Sequence, residues 1–118
     1  MTQQQLDYLK SNGVDVDGTL GRFMGRIEMF EKFIFRFLED KNYALLNDSL
    51  EKSDVKEAFM AAHTLKGVCA NLGLNPLREA SSEITELLRA EKHDEAKEYF
   101  INVKDAYEKM VEVINSVK

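Results

Sequence analysis

Asp54-Val55-Lys56-Glu57-Ala58-Phe59-Met60-Ala61-Ala62-His63-Thr64-Leu65-Lys66-Gly67-Val68-Cys69-Ala70-Asn71-Leu72-Gly73 is the stretch that decides the fold. Val55, Ala58, Phe59, Ala62, Leu65, Cys69 and Leu72 recur at intervals of three and four, which puts them on one face of an α-helix. Asp54 and Glu57 are spaced as a capping box at the start of that helix, and Gly73 is a C-terminal stop.

Helical signals continue on both sides. Asn75 as N-cap and Pro76 at the first helical position open a further helix to about Glu91, with Leu77, Ala80, Ile84, Leu87 and Leu88 inward. Asp94 is placed to cap a last helix whose inward set is Ala96, Tyr99, Phe100, Val103, Tyr107, Met110, Ile114 and Val117. Upstream, Phe30, Phe33, Ile34, Phe37 and Leu38 keep the same period from about Ile27. Leu45, Leu46 and Leu50 resume it after a polar stretch, so this is one long helix or two abutting ones. At the start, Thr2 and Gln5 match a capping box for a short helix with Leu6 and Leu9 inward, which Asn12-Gly13 stops. Gly13 to Gly18 is then a turn-rich link, and Leu20, Phe23 and Met24 give one or two more apolar turns.

Four of the six glycines lie between Gly13 and Gly25 and the only proline is Pro76, so the rest lacks the punctuation that strands and hairpins need. The fold expected is all-α: one domain over residues 1–118, an antiparallel up-down four-helix bundle from 26 to 118 with a short N-terminal helical extension over 1–25. The 118 residues suffice for one core and not for two lobes. A net charge of −5 offers no basic field for nucleic-acid phosphates. The single cysteine, Cys69, excludes an internal disulfide and a Cys-based zinc site and reads as a small core residue. No leader or membrane span is legible, so a cytoplasmic protein is expected.

His63 does not fit a merely structural helix. It falls beside the buried stripe, next to Phe59 and Ala62, with its ring partly exposed at the bundle's edge. One turn on come Lys66 and Gly67, and a further turn brings Ala70, so that surface holds one cation and almost no side-chain bulk. Gly67 in mid-helix costs on the order of 1 kcal/mol relative to alanine, with no turn to require it. Such a surface leaves room for a phosphoryl group on the imidazole, whose neutral form is a competent nucleophile, with the Lys66 ammonium to offset its charge. No Gly-rich phosphate loop or kinase catalytic loop is present, hence no ATP site and no autonomous kinase activity. His93 reads as a solvated loop residue, and no paired-ligand spacing suggests a metal site.

Ala62-His63-Thr64-Leu65-Lys66-Gly67, followed by Ala70-Asn71-Leu72-Gly73 and Leu77, resembles the signature of histidine-containing phosphotransfer (HPt) domains of two-component phosphorelays. Gly13-Val14-Asp15-Val16 with Leu20, Arg22, Phe23, Met24 and Gly25 is similar to their lead-in. Arg26 and Thr85 depart from the acidic residues common there, away from the His motif. The resemblance implies that His63 accepts a phosphoryl group from a receiver-domain aspartyl-phosphate and passes it to another receiver aspartate, with Lys66 stabilising charge and Gly67 clearing space. It also implies that the chain binds no cofactor, the Mg²⁺ belonging to the receiver.

Partners expected are response-regulator receivers, or a hybrid histidine kinase, meeting a rim of Phe59, Met60, Ala70 and Asn71, with no nucleic acid, no membrane and a monomeric state. Two other readings are the phospho-accepting domain of a chemotaxis-type histidine kinase and a receiver-binding bundle that is never phosphorylated.

Overall fold

Thr2 starts the first helix as its spacing predicts. Its hydroxyl accepts from the Gln5 amide at 3.2 Å while the Gln5 side chain accepts from the Thr2 amide at 2.8 Å, and α1 runs Gln3–Ser11. In the computed structural model, which describes residues 1–118, α2 follows at Val16–Arg22, so the segment read as irregular turns contains a short true helix capped by Asp15. Next come α3 (Ile27–Arg36), a 3₁₀ turn (Phe37–Glu39), α4 (Asn42–Glu51), α5 (Val55–Leu72), α6 (Asn75–Arg89) and α7 (His93–Ser116).

Of the two readings upstream, two abutting helices is the one observed. Asp40 adopts an extended conformation, and its carboxylate accepts from the backbone and side-chain nitrogens of Asn42, both at 2.9 Å. That local bond competes with the helical ladder and restarts the chain as α4.

The bundle is formed by α4, α5, α6 and α7, each packed on the next in chain order, with α4 closing against α7. It is the predicted all-α, antiparallel four-helix bundle, and the whole chain is 43 Å in its longest dimension. Its core is one cluster of 26 buried residues, among them Phe30, Ile34, Leu46, Leu65, Leu77, Ile84, Val103, Met110 and Ile114. Tyr43 and Tyr107 stack at 3.9 Å with planes 2° apart, and Phe100 lies 5.6 Å from Tyr43, so aromatic rings seal the α4–α7 seam and stay only half-buried.

The extension is part of the core. Leu6, Leu9, Val14 and Val16 are buried in the same cluster, and Val14 pairs with Leu74 in an isolated antiparallel bridge. The Asp15 amide donates to the Gly73 carbonyl at 2.8 Å, tying the N-terminal segment to the α5–α6 turn. Gly73 ends α5 in the left-handed region at φ 72°, and a β-carbon there would lie 2.7 Å from the Asp15 carbonyl oxygen. Both the conformation and the close approach require glycine.

Several expected helix ends move. The N-cap of α6 is Leu74, not Asn75, because residue 74 is drawn into the bridge with Val14; the Asn75 side chain accepts from Arg78 instead. That helix ends at Arg89, two residues before the predicted Glu91, which itself stands at φ 60° in the turn. Asp94 is not the cap of α7 but lies in its first turn, after Lys92, where its negative charge complements the positive end of the helix dipole. Asp54 accepts from the Glu57 amide at 3.1 Å, the only side-chain cap bond at that start. Val55, read as inward, is 36% exposed, in a first turn whose Lys56 and Glu57 are exposed as well.

Candidate functional site

Around α5 the buried residues are Ala58, Ala61, Ala62, Leu65, Cys69 and Leu72. The opposite side of the helix carries Met60, His63, Gly67, Ala70 and Asn71, all exposed. Alanines in the buried set let α5 sit close to α4 and α6 without swelling the core, so its outer face stands at the surface as a rigid ridge. The sequence puts His63 partly exposed at the bundle's edge, and it lies on this exposed face.

The ring of His63 is not free to roam. It lies 5.9 Å from the Phe59 ring, centroid to centroid, with the planes 14° apart. Phe59 is half-buried and packs against the core, which makes it a fixed platform one turn before the histidine. On the far side of the α5–α6 seam, the Arg89 guanidinium lies 5.0 Å from the Phe59 ring centre. Arg89 also holds Glu86 through Nε at 2.9 Å.

Lys66 is half-buried and takes part in none of the three ion pairs of the chain, so its charge is uncompensated beside His63. At Gly67 an added β-carbon would meet no atom within 4 Å. Internal packing thus gives no reason for glycine there, in contrast to Gly73. The space above Gly67 is empty, and Ala70, one turn on, is exposed.

Two grooves flank this ridge, and His63 lines neither. One, about 370 Å³, lies between α2, α3 and the C-terminal half of α5, with Arg22, Phe23, Phe33, Arg36, Val68 and Asn71 in its wall. Phe23 and Phe33 stack there at 5.3 Å, beside Met24, which is 87% exposed. The second, between α4 and the first half of α5, is bounded by Met60 and Thr64. A reactive group on a convex ridge suits a macromolecular partner, since small-molecule sites enclose most of their ligand.

His93, read as a solvated loop residue, is instead the first residue of α7, half-buried, with both ring nitrogens buried and without a hydrogen-bond partner. The α6–α7 turn is too short to hold its ring away from the bundle. Cys69 is fully buried, and burial, with a further push from Asp40 against a smaller opposing pull from Arg78, raises its thiol to about 12. Thr85 is buried and donates to the Ser81 carbonyl at 2.6 Å, an interior place that would suit a glutamate badly.

In the sequence Arg22 stands out only as part of the lead-in and Arg89 not at all, and the structure gives both a place in this region. Arg22 donates from Nε to the Asn71 carbonyl at 3.1 Å and from a terminal nitrogen to the Ala70 carbonyl at 3.0 Å, closing the end of α5. Arg89 has a signal in hindsight. Phe59 and Arg89 stand at nearly equal distances in sequence from the Gly73–Leu74 turn, which in an antiparallel hairpin sets them opposite each other.

No group of three or more His, Cys, Asp or Glu is placed to hold a metal ion, and no helix is long and apolar enough to cross a membrane. No curated protein and no solved structure matches the chain. The Hpt domain family model matches residues 28–113, from the second residue of α3 to the last full turn of α7. With a four-helix bundle, an exposed histidine on its second helix and a match over most of its length, the chain belongs to the Hpt domain family, the phosphotransfer modules of two-component systems that work with receiver domains.

Proposed function

We propose that His63 takes a phosphoryl group from a receiver aspartyl-phosphate and gives it to the aspartate of another receiver. The observation that carries this reading is the pairing of an exposed, stacked imidazole with empty space over Gly67 one turn on. Partner access is what a mid-helix glycine without an internal contact provides.

In the forward step the lone pair of a neutral ring nitrogen attacks phosphorus. The P–O bond to the aspartyl carboxyl breaks, its electron pair stays on the carboxylate, and the proton on the other ring nitrogen stays where it is. The same bonds exchange in reverse on the next receiver. A loose phosphoryl transition state asks mainly for alignment and charge neutralisation. On this chain the Phe59 platform supplies alignment and Lys66 a cation, while the Mg²⁺ comes with the receiver. The chain acts as an intermediate without an ATP site.

A standard interface buries about 800 Å² on each partner, a footprint that centred on His63 covers Phe59, Met60, Ala70 and Asn71. Met24 and the stacked Phe23 and Phe33 lie along the α2–α3 side of that footprint, where a receiver would find apolar area.

The test incubates the wild type and His63→Gln with a phosphorylated receiver and Mg²⁺ and scores phosphate that is acid-labile and base-stable. Label on the wild type and none on the variant is the expected result. Receivers that bind without transferring label would overturn the reading in favour of a docking bundle. Labelling solely by an ATP-loaded kinase domain would overturn it in favour of a kinase's acceptor domain.

A further inference from the structure

We propose that Arg89 is a second phosphoryl-binding cation of this site, parked on Phe59 and Glu86 in the unmodified protein and moving onto the phosphoryl group once His63 carries one. The inference rests on His63 as the acceptor.

Phe59 is the link. It contacts both groups, the Arg89 guanidinium at 5.0 Å and the His63 ring at 5.9 Å, so the cation rests one aromatic side chain away from the imidazole. Helical spacing puts Phe59 and Lys66 on the flank of His63 that faces α6, and Met60, Gly67 and Asn71 on the other. Arg89 rises from α6. Both cations therefore approach the imidazole from one side and leave the bare side open for a partner.

The present partner of Arg89 is easily exchanged. Glu86 and Arg89 are three residues apart on one helix, with side chains 55% and 54% exposed, and such surface pairs bind weakly. A phosphoryl group carries more charge than a carboxylate, about −1.5 to −2 near neutral pH, and presents three acceptor oxygens to a planar fork of donors. Lys66 offers a point charge and no fork, so one cation does not make the other redundant. Arg89 is thus a positioning residue in the unmodified protein, through Phe59, and a ligand of the group in the phosphorylated one.

The experiment phosphorylates the full chain with phosphoramidate, which needs no receiver, using His63→Gln to identify signals that belong to His63. In ¹H–¹⁵N spectra the Arg89 Nε–H resonance should shift and its exchange with water slow on phosphorylation of the wild type, with no change in His63→Gln. The second readout is the equilibrium share of phosphate between this chain and a receiver. Arg89→Gln should move it toward the receiver by roughly 3- to 10-fold, with only part of the effect recovered in Arg89→Lys, which restores the charge without the fork, and receiver affinity unchanged. Glu86→Gln, which frees the guanidinium, should move it the other way by about 2-fold.

An Arg89 resonance indifferent to phosphorylation, or a share unaltered by Arg89→Gln, would overturn the proposal. So would equal losses in Arg89→Gln and Arg89→Lys together with weaker receiver binding, which would make Arg89 a docking residue. Phosphoramidate labelling of His63 with no transfer from any receiver would sink the shuttle reading and leave the Arg89 result to be judged by the spectra.

Discussion

Arg22 and Asn71 are 49 residues apart in sequence and 3.1 Å apart in space, joined by a bond from the Arg22 Nε to the Asn71 carbonyl. With its second bond to Ala70 and a third to the Thr19 hydroxyl at 3.1 Å, Arg22 does for the end of α5 what the helix cannot do itself. The last carbonyls of a helix have no intrahelical donor. The N-terminal extension supplies one, and so anchors the helix that bears His63.

Replacing Arg22 by Met keeps the aliphatic stem and removes the donors. A loss of about 1 kcal/mol is expected, because the bonds are partly exposed to water that will replace them. Urea denaturation should give a lower midpoint with an unchanged slope. A native-like midpoint would mean that the extension is held by its apolar residues alone.

The two α5 glycines should respond with opposite signs. Gly67→Ala fills empty space in a helix interior and should stabilise by about 0.5 to 1 kcal/mol, while slowing phosphate transfer from a receiver. Gly73→Ala forces a side chain into the left-handed region and against the Asp15 backbone, with an expected loss of at least about 2 kcal/mol. Thermal melts and transfer assays on the pair check both. A Gly67→Ala variant that transfers at the wild-type rate would remove the role assigned to that space.

Alkaline pH should destabilise the fold. Burial lifts the Cys69 thiol from an ordinary 9.0 to about 12, so between these values the unfolded chain releases a proton that the native one keeps. Stability is complete below pH 9 and falls as pH rises through that window. Tyr43, Tyr99 and Tyr107, also raised chiefly by burial, add in the same direction. Equilibrium unfolding at stepped pH should trace the decline, with a shallower one for Cys69→Ala. A thiol reagent at pH 8 should label Cys69 in urea and leave it untouched in the native protein.

His93 has two buried ring nitrogens without partners, a burden an apolar side chain would not carry. His93→Leu should leave stability unchanged or raise it by up to about 1 kcal/mol, and leave labelling of His63 intact. Denaturation midpoints and the transfer assay measure this. A marked drop in either would show that the imidazole has a partner in solution.

The period of three and four in the apolar residues, the capping boxes and the lone proline made the bundle legible, since helix formation and burial of one face are local properties of a sequence. The His63, Lys66 and Gly67 constellation was equally legible, because all three lie within two turns of one helix. Long-range geometry was not. Leu74 took the cap position from Asn75 because Val14, sixty residues earlier, pairs with it. His93 lost its solvent because the α6–α7 turn is short. Arg22 and Arg89 became part of the site's surroundings through contacts with residues far along the chain. The sequence by itself determined the helices, the stripe each buries and the candidate nucleophile. Only the tertiary structure decided what stands beside that nucleophile, because side chains on different helices meet by packing, and packing depends on every helix at once.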